Sequence, residues 1–168
     1  MIMTSQALNA LDPERRRDAY FKSSEKIEVP ALVHALEPAF VPWATPFEPW
    51  LLYQLAGHEK FVGGKISTLD EPHFLYWASM CRDLGLDFVP HSGDDFGIAS
   101  AIRMGLPLLI GAGVSACPLI CAAKKYWRKD DYDSRVYKLF EAFQSLEDLV
   151  FRLDDKGSAA GYKHSTAE

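Results

Sequence analysis

Lys65 is the residue whose type and place carry the most chemistry. It stands near the end of the apolar segment Phe61-Val62-Gly63-Gly64-Lys65-Ile66, which reads as a buried strand. In parallel α/β architectures the C-terminal ends of the strands face the active site. An apolar pocket disfavours the charged form of a lysine, so its pKa falls and more of it is the neutral amine that attacks a carbonyl carbon. The plainer alternative is a strand-end lysine whose ammonium reaches solvent. Ser67 and Thr68 follow directly, and Asp94 and Asp95 come at the end of a later apolar run. Hydroxyls and carboxylates in such places either bind a ligand or cap the next helix. Gly111-Ala112-Gly113 follows the last apolar run, where backbone N–H groups could cradle a phosphate.

These residues need elements to hold them. Asp12-Pro13 opens a charged amphipathic helix over 13–26, with Asp as cap and Pro in the first turn. Val29 to Leu36 is a short apolar strand that carries His34, and a Pro- and Trp-rich loop leads from it to a helix over 48–56 that stops at Gly57. After the Lys65 strand, Thr68 and Asp70 both offer caps for a helix over 71–84 ended by Gly85, and Thr68-x-x-Glu71 fits a capping box. Phe88 to His91 is the third strand, followed by a helix to Met104. Leu108 to Gly111 is the fourth strand, followed by a helix from Gly113 to about Lys129. Two more helical patterns cover 131–144 and 146–153, and the small polar tail from Asp154 reads as disordered. Residues 1–12 read as a flexible N-terminus and 13–153 as one domain.

Short continuous apolar strands alternating with helices, at intervals of roughly 20 to 30 residues, predict a parallel sheet covered by helices. The candidates are a small doubly wound sheet and part of a (β/α)₈ barrel. No Gly-rich nucleotide fingerprint follows the first strand, so the doubly wound reading lacks its usual signature.

The 168 residues are 48% hydrophobic and 24% charged, enough for a packed core and unlike a disordered chain. A formal net charge of −5 argues against nucleic acid or an anionic membrane as a partner. Cys81, Cys117 and Cys121 are an odd count without metal-ligand spacing, and read as buried thiols in a reducing compartment. Residues 1–12 lack the pattern of a signal peptide, and no stretch is long and apolar enough for a bilayer. A cytoplasmic location is the expectation. The four tryptophans read as packing residues, and His58 and His73 as helix-end residues without a catalytic role.

The order of segments resembles the N-acetylneuraminate lyase and dihydrodipicolinate synthase family. Phe61 to Thr68 looks like that family's lysine strand, Val-Gly-x-Lys followed by small hydroxylic residues. His91-Ser92-Gly93-Asp94-Asp95 resembles its Ser-Gly-Asp-Asp segment. Gly105 to Val114 resembles its last barrel strand and glycine-bearing loop, and Pro30 to His34 the strand before the lysine strand. The resemblance runs from about residue 13 to 153. It implies the C-terminal half of a (β/α)₈ barrel with extra C-terminal helices, and a class I aldolase-type lyase or synthase acting on a pyruvate-like 2-oxo acid. Lys65 would form an imine with the ketone, and the protonated imine would be the electron sink, so neither a cofactor nor a metal is implied. Gly93, Asp94 and Asp95 would meet the second substrate's hydroxyls. The backbone at Ile110 and Gly111 would border the substrate, and Ser67 and Thr68 would line the mouth.

Two departures stand out. The family's proton-shuttling tyrosine is replaced by His34, which can also transfer protons near neutral pH but could equally be a hydrogen-bonded strand histidine. The family's first four strands are absent, and Met1 and Met3 precede a helix of the previous βα unit, as in a cut reading frame. Four parallel strands cannot close a barrel, so Leu32, Phe61, Val89 and Leu109 would need cover. A second copy or a complementing half-barrel would supply it. The alternatives are a non-catalytic half-barrel or partner subunit, and a barrel fragment that binds a phosphate ligand.

Overall fold

A computed structural model describes residues 1–150 except 39, 69, 94–97, 112 and 128–133; the tail expected from Asp154 lies outside the described residues. The described elements are β1 (Ile2–Met3), α1 (Gln6–Asn9), α2 (Pro13–Ser24), β2 (Ala31–Leu36), α3 (Pro49–Ala56), β3 (Phe61–Ser67), α4 (Glu71–Asp83), β4 (Val89–Ser92), α5 (Ile98–Arg103), α6 (Gly113–Tyr126) and α7 (Ser134–Val150). The strands form one sheet in the order β1-β2-β3-β4. The pairs β1–β2 and β2–β3 are parallel, as the short apolar strands predict. The chain divides into two compact units, Met1–His91 and Ser92 onward.

In the first unit the helices start where their caps place them. Asp12 accepts from the Arg15 N–H with Pro13 in the first turn. Asp70, not Thr68, is the N-cap of α4 and accepts from the His73 N–H at 3.1 Å. Thr68 lies two residues earlier, and its hydroxyl accepts from the Asp70 N–H at 2.9 Å. Asp70→Ala is expected to cost about 1 kcal/mol, read as a lower urea midpoint at unchanged slope. At its other end α4 stops because Gly85 adopts φ 61°. There the Gly85 N–H reaches Arg82 O and the Leu86 N–H reaches Cys81 O, a left-handed stop that suits glycine.

The sheet has two unlike faces because side chains alternate along each strand. Val33, Ala35 and Ile66 are buried, as are Leu51, Leu52 and Leu55 of α3 and Phe74, Trp77 and Ala78 of α4. Phe61 is 2% exposed and lies against the Phe21 and His58 rings. It therefore belongs to the covered side, contrary to the expectation that it needs a partner. Leu32 is half-buried, while Val89 is 43% exposed.

Residues 1–12, expected as a flexible end, carry β1 and α1. β1 pairs Ile2 with Val33 and Met3 with His34, and Ser5 caps α1 through the Leu8 N–H.

In the second unit Ile98 and Ile102 of α5, Ile120 and Ala123 of α6, and Val136 and Phe140 of α7 form one core. Gly105, at φ 70°, ends the segment after α5. The expected strand Leu108 to Gly111 is reduced to a single parallel bridge between Ser92 and Leu108. Among the described residues two backbone bonds tie it, Ser92 N–H to Pro107 O and Leu109 N–H to Ser92 O, and Pro107 has no N–H to extend the ladder. Leu109 is 38% exposed. The two helices expected over 131–144 and 146–153 are one within the described residues, Ser134–Val150; the Ser145 hydroxyl bonds the Glu141 carbonyl without a break. Cys81 is buried as expected, but Cys117 and Cys121 are exposed.

Candidate active site

The site grows out of the register between β2 and β3. His34 pairs with Lys65, and Leu36 with Ser67. Register partners on parallel strands present their side chains to the same face, so His34, Lys65 and Ser67 share one face near the C-terminal ends of their strands. His34 is 4% exposed and Ser67 3%, while Lys65 is half-buried. Lys65 is therefore neither sealed in apolar surroundings nor extended into bulk water.

His34 Nε2 lies 2.9 Å from Ser67 Oγ and His34 Nδ1 lies 3.1 Å from Met3 Sδ. A thioether sulfur has no proton to give, so a hydrogen bond there requires Nδ1 to carry the hydrogen. Nε2 is then the lone-pair nitrogen and accepts from the Ser67 hydroxyl. Burial, and then the positive charge of Lys65, push the His34 pKa down to about 4. The ring is neutral at pH 7, and its bare nitrogen faces the hydroxyl beside Lys65.

This has a consequence for stability. An ordinary histidine titrates at about 6.5, so between that value and about 4 the unfolded chain binds more protons than the folded one. Stability from the neutral ring is complete above the upper value, is lost as pH falls through this window, and stops changing below it. The loss reaches at most about 3 kcal/mol. Urea unfolding at pH 7 and pH 4 should show that extra loss for the natural chain relative to His34→Gln, in which the carboxylates still titrate alike. Parallel pH profiles would contradict it.

Thr68 is fully buried, and its hydroxyl accepts the turn bond from the Asp70 N–H. Gly93 is buried directly after β4, Ile110 is half-buried and Gly111 exposed. Ile110 packs against the core of the second unit. Asp94 and Asp95 lie outside the described residues, as does Ala112 of the glycine-bearing loop. The structure thus brings together His34, Lys65 and Ser67, with Met3 as an addition from the N-terminus. Among the described residues no cluster of three or more His, Cys, Asp or Glu side chains could hold a metal. A surface hollow of about 500 Å³ is lined by Asp12, Pro13, Glu14, Glu48 and Trp50 and contains none of the predicted site residues.

A second polar chain was not expected. His73 Nδ1 lies 2.7 Å from Glu37 Oε1, and the Trp77 indole N–H donates to His73 Nε2 at 2.8 Å. The indole can only donate, so the His73 hydrogen sits on Nδ1 and points to the Glu37 carboxylate. Glu37 directly follows β2 and His73 lies in the first turn of α4. This contact ties the strand end beyond His34 to the helix that follows Lys65. The sequence signal is the His73-x-x-x-Trp77 spacing on one helix face; its partner Glu37 is 36 residues away.

A parallel sheet with covering helices and polar groups at its strand ends fits half of a (β/α)₈ barrel. The solved structures it is similar to agree. One is dihydrodipicolinate synthase from Bacteroides thetaiotaomicron, at a TM-score of 0.74 and 15% identity over 98% of this chain and 54% of that one. Another is the chloride-inhibited dihydrodipicolinate synthase from Acinetobacter baumannii complexed with pyruvate, at 0.63 and 19%, over 94% of this chain and 51% of that one. A third is the Sulfolobus 2-keto-3-deoxygluconate aldolase in complex with D-KDPG, at 0.63 and 14%, over 94% and 51%. The chain spans about half the length of each. No family model matches the sequence, and no curated protein does. Among the described residues no helix is long and apolar enough to cross a membrane.

Proposed function

We propose that this chain supplies the lysine-bearing, C-terminal half of a class I aldolase-type lyase or synthase acting on a pyruvate-like 2-oxo acid, in the cytoplasm. The observation that carries the reading is the His34–Lys65 register, with a neutral imidazole and a buried hydroxyl beside the amine. The structural neighbours solved with pyruvate and with D-KDPG support the substrate class.

In this reading the unprotonated fraction of Lys65 attacks the ketone carbon, and the carbinolamine loses water to give a protonated imine. That imine draws electrons from the adjacent carbon, so a C–C bond there forms or breaks through an enamine. Ser67 relays a proton between the carbinolamine oxygen and His34 Nε2, and the low basicity of that nitrogen lets it return the proton readily. Gly93, Asp94 and Asp95 would bind hydroxyls of the second substrate, with Thr68 at the turn and the backbone of Ile110 and Gly111 bordering the site. Turnover would require the rest of a barrel, from a complementing half or a second copy. Borohydride reduction with pyruvate should add one stable adduct, at Lys65. Absence of any adduct across a series of 2-oxo acids would end this reading.

A second reading, a non-catalytic half-barrel that serves as a partner subunit, is favoured by the exposed Met3 and Val89, 48% and 43%. It predicts no adduct at Lys65, but binding to a complementing half.

A further inference from the structure

The Cys117–Cys121 pair is unused by the proposed chemistry. Both thiols are exposed, four residues apart on α6 and therefore on one face of the helix. The hydrogen bond to Cys121, with the repulsion between two neighbouring thiolates, raises the Cys117 pKa, so Cys121 is the sulfur that meets peroxide and Cys117 the one that resolves it. Ile120 and Ala123 on the other side of α6 belong to the core with Val136 and Phe140. We propose that Cys117 and Cys121 are a peroxide-sensitive dithiol that closes to a reversible disulfide within α6 and loosens this helix from its core.

Helical geometry sets the cost of closure. Residues four apart have Cα atoms about 6 Å apart along the axis, inside the roughly 4.4–6.8 Å range of disulfides. Their Cβ atoms, however, stand about 5–6 Å apart, and a disulfide needs about 3.5–4.5 Å. The helix must therefore distort between the two residues, and the resulting bond is strained and easily reduced. Pro118 lies inside α6, immediately after Cys117, where it removes one helical hydrogen bond and makes distortion easier. Ile120 lies within the closed loop, so the distortion acts directly on a core residue.

The chemistry balances with hydrogen peroxide as oxidant. One thiolate attacks a peroxide oxygen, the O–O bond breaks, and hydroxide leaves to take up the thiol proton as water, which gives a sulfenic acid. The second sulfur then displaces hydroxide from the first, the S–S bond forms, and that hydroxide leaves as water with the second thiol proton. Two thiols and one peroxide become one disulfide and two waters.

The full chain is treated with hydrogen peroxide, denatured, alkylated and mapped by mass spectrometry, with amide exchange followed in parallel. The expected result is a loss of two of the three alkylatable thiols, a crosslink between Cys117 and Cys121, full recovery with dithiothreitol, and faster exchange across 117–126. Cys81 is the internal reference. Cys117→Ser and Cys121→Ser, both at exposed positions, should each abolish the crosslink and the exchange change. Over-oxidation without a crosslink, crosslinks only between chains, or a crosslink that leaves exchange unchanged would each overturn the proposal.

Discussion

A Lys65→Arg chain is expected to give no borohydride-stable adduct with pyruvate, where the proposed function expects one for the natural chain. Arginine keeps the positive charge and much of the stem volume, but a guanidinium does not lose its proton in a protein. It therefore cannot attack a ketone. In a completed barrel, loss of the covalent route should lower turnover on the order of 10⁴-fold, or ~5 kcal/mol. Because the charge is retained, His34 should still titrate far below its ordinary value. Lys65→Met removes the charge and should move the His34 pKa upward from about 4, while burial, the larger cause, keeps it below an exposed histidine. The His34 ring proton, followed by NMR through a pH titration, reads this directly. If the Arg variant still acquires the adduct, another lysine is the reacting amine. Lys60 is a poor candidate, since its Nζ is tied to Ile27 O at 3.3 Å at the opposite end of β3.

What the sequence made legible followed local rules. Asp12-Pro13 and Asp70 cap helices, Gly85 ends one, and an apolar run delivers Lys65 to a strand end. Each depends on neighbours within a few residues. The missed features depend on distance or on length. β1 is two residues long, too short for an alternation to show, so its pairing of Met3 with His34 was hidden. The Glu37–His73–Trp77 chain needs the fold to close over 36 residues. Leu108 to Gly111 looks like any other apolar run, yet Pro107 cannot donate to a ladder. Cys117 and Cys121 sit in an apolar stretch whose buried side is set by Ile120 and Ala123, which leaves the thiols exposed. The candidate site is therefore half legible: Lys65 and Ser67 by pattern, and the state of His34 only through its burial and its neighbours.

Gly63→Ala is expected to destabilise the first unit far more than Gly64→Ala, although the two glycines are adjacent on β3. A Cβ at position 63 would collide with the backbone carbonyl oxygen of Val89, with Leu32 Cδ2 at 3.1 Å and His91 Cε1 at 3.2 Å also in the way. The first obstacle is main chain of the neighbouring strand, so β3 and β4 would have to separate. At position 64 the nearest atoms are Phe88 Cζ at 3.0 Å and Val33 Cγ2 at 3.1 Å, ends of side chains that can shift by tenths of an ångström. Both substitutions reduce the freedom of the unfolded chain alike, which favours folding slightly. The difference between them therefore reports the obstruction. We expect roughly 3 kcal/mol or more for Gly63→Ala and about 1 kcal/mol for Gly64→Ala, measured by urea unfolding. Lys65 shares its sheet face with Gly63, so a displaced β3 should also slow adduct formation in the Gly63 variant while the Gly64 variant keeps it. Equal costs for the two would mean that β4 does not approach β3 closely at Gly63. The Gly-Gly-Lys order would then have no packing reason in this fold.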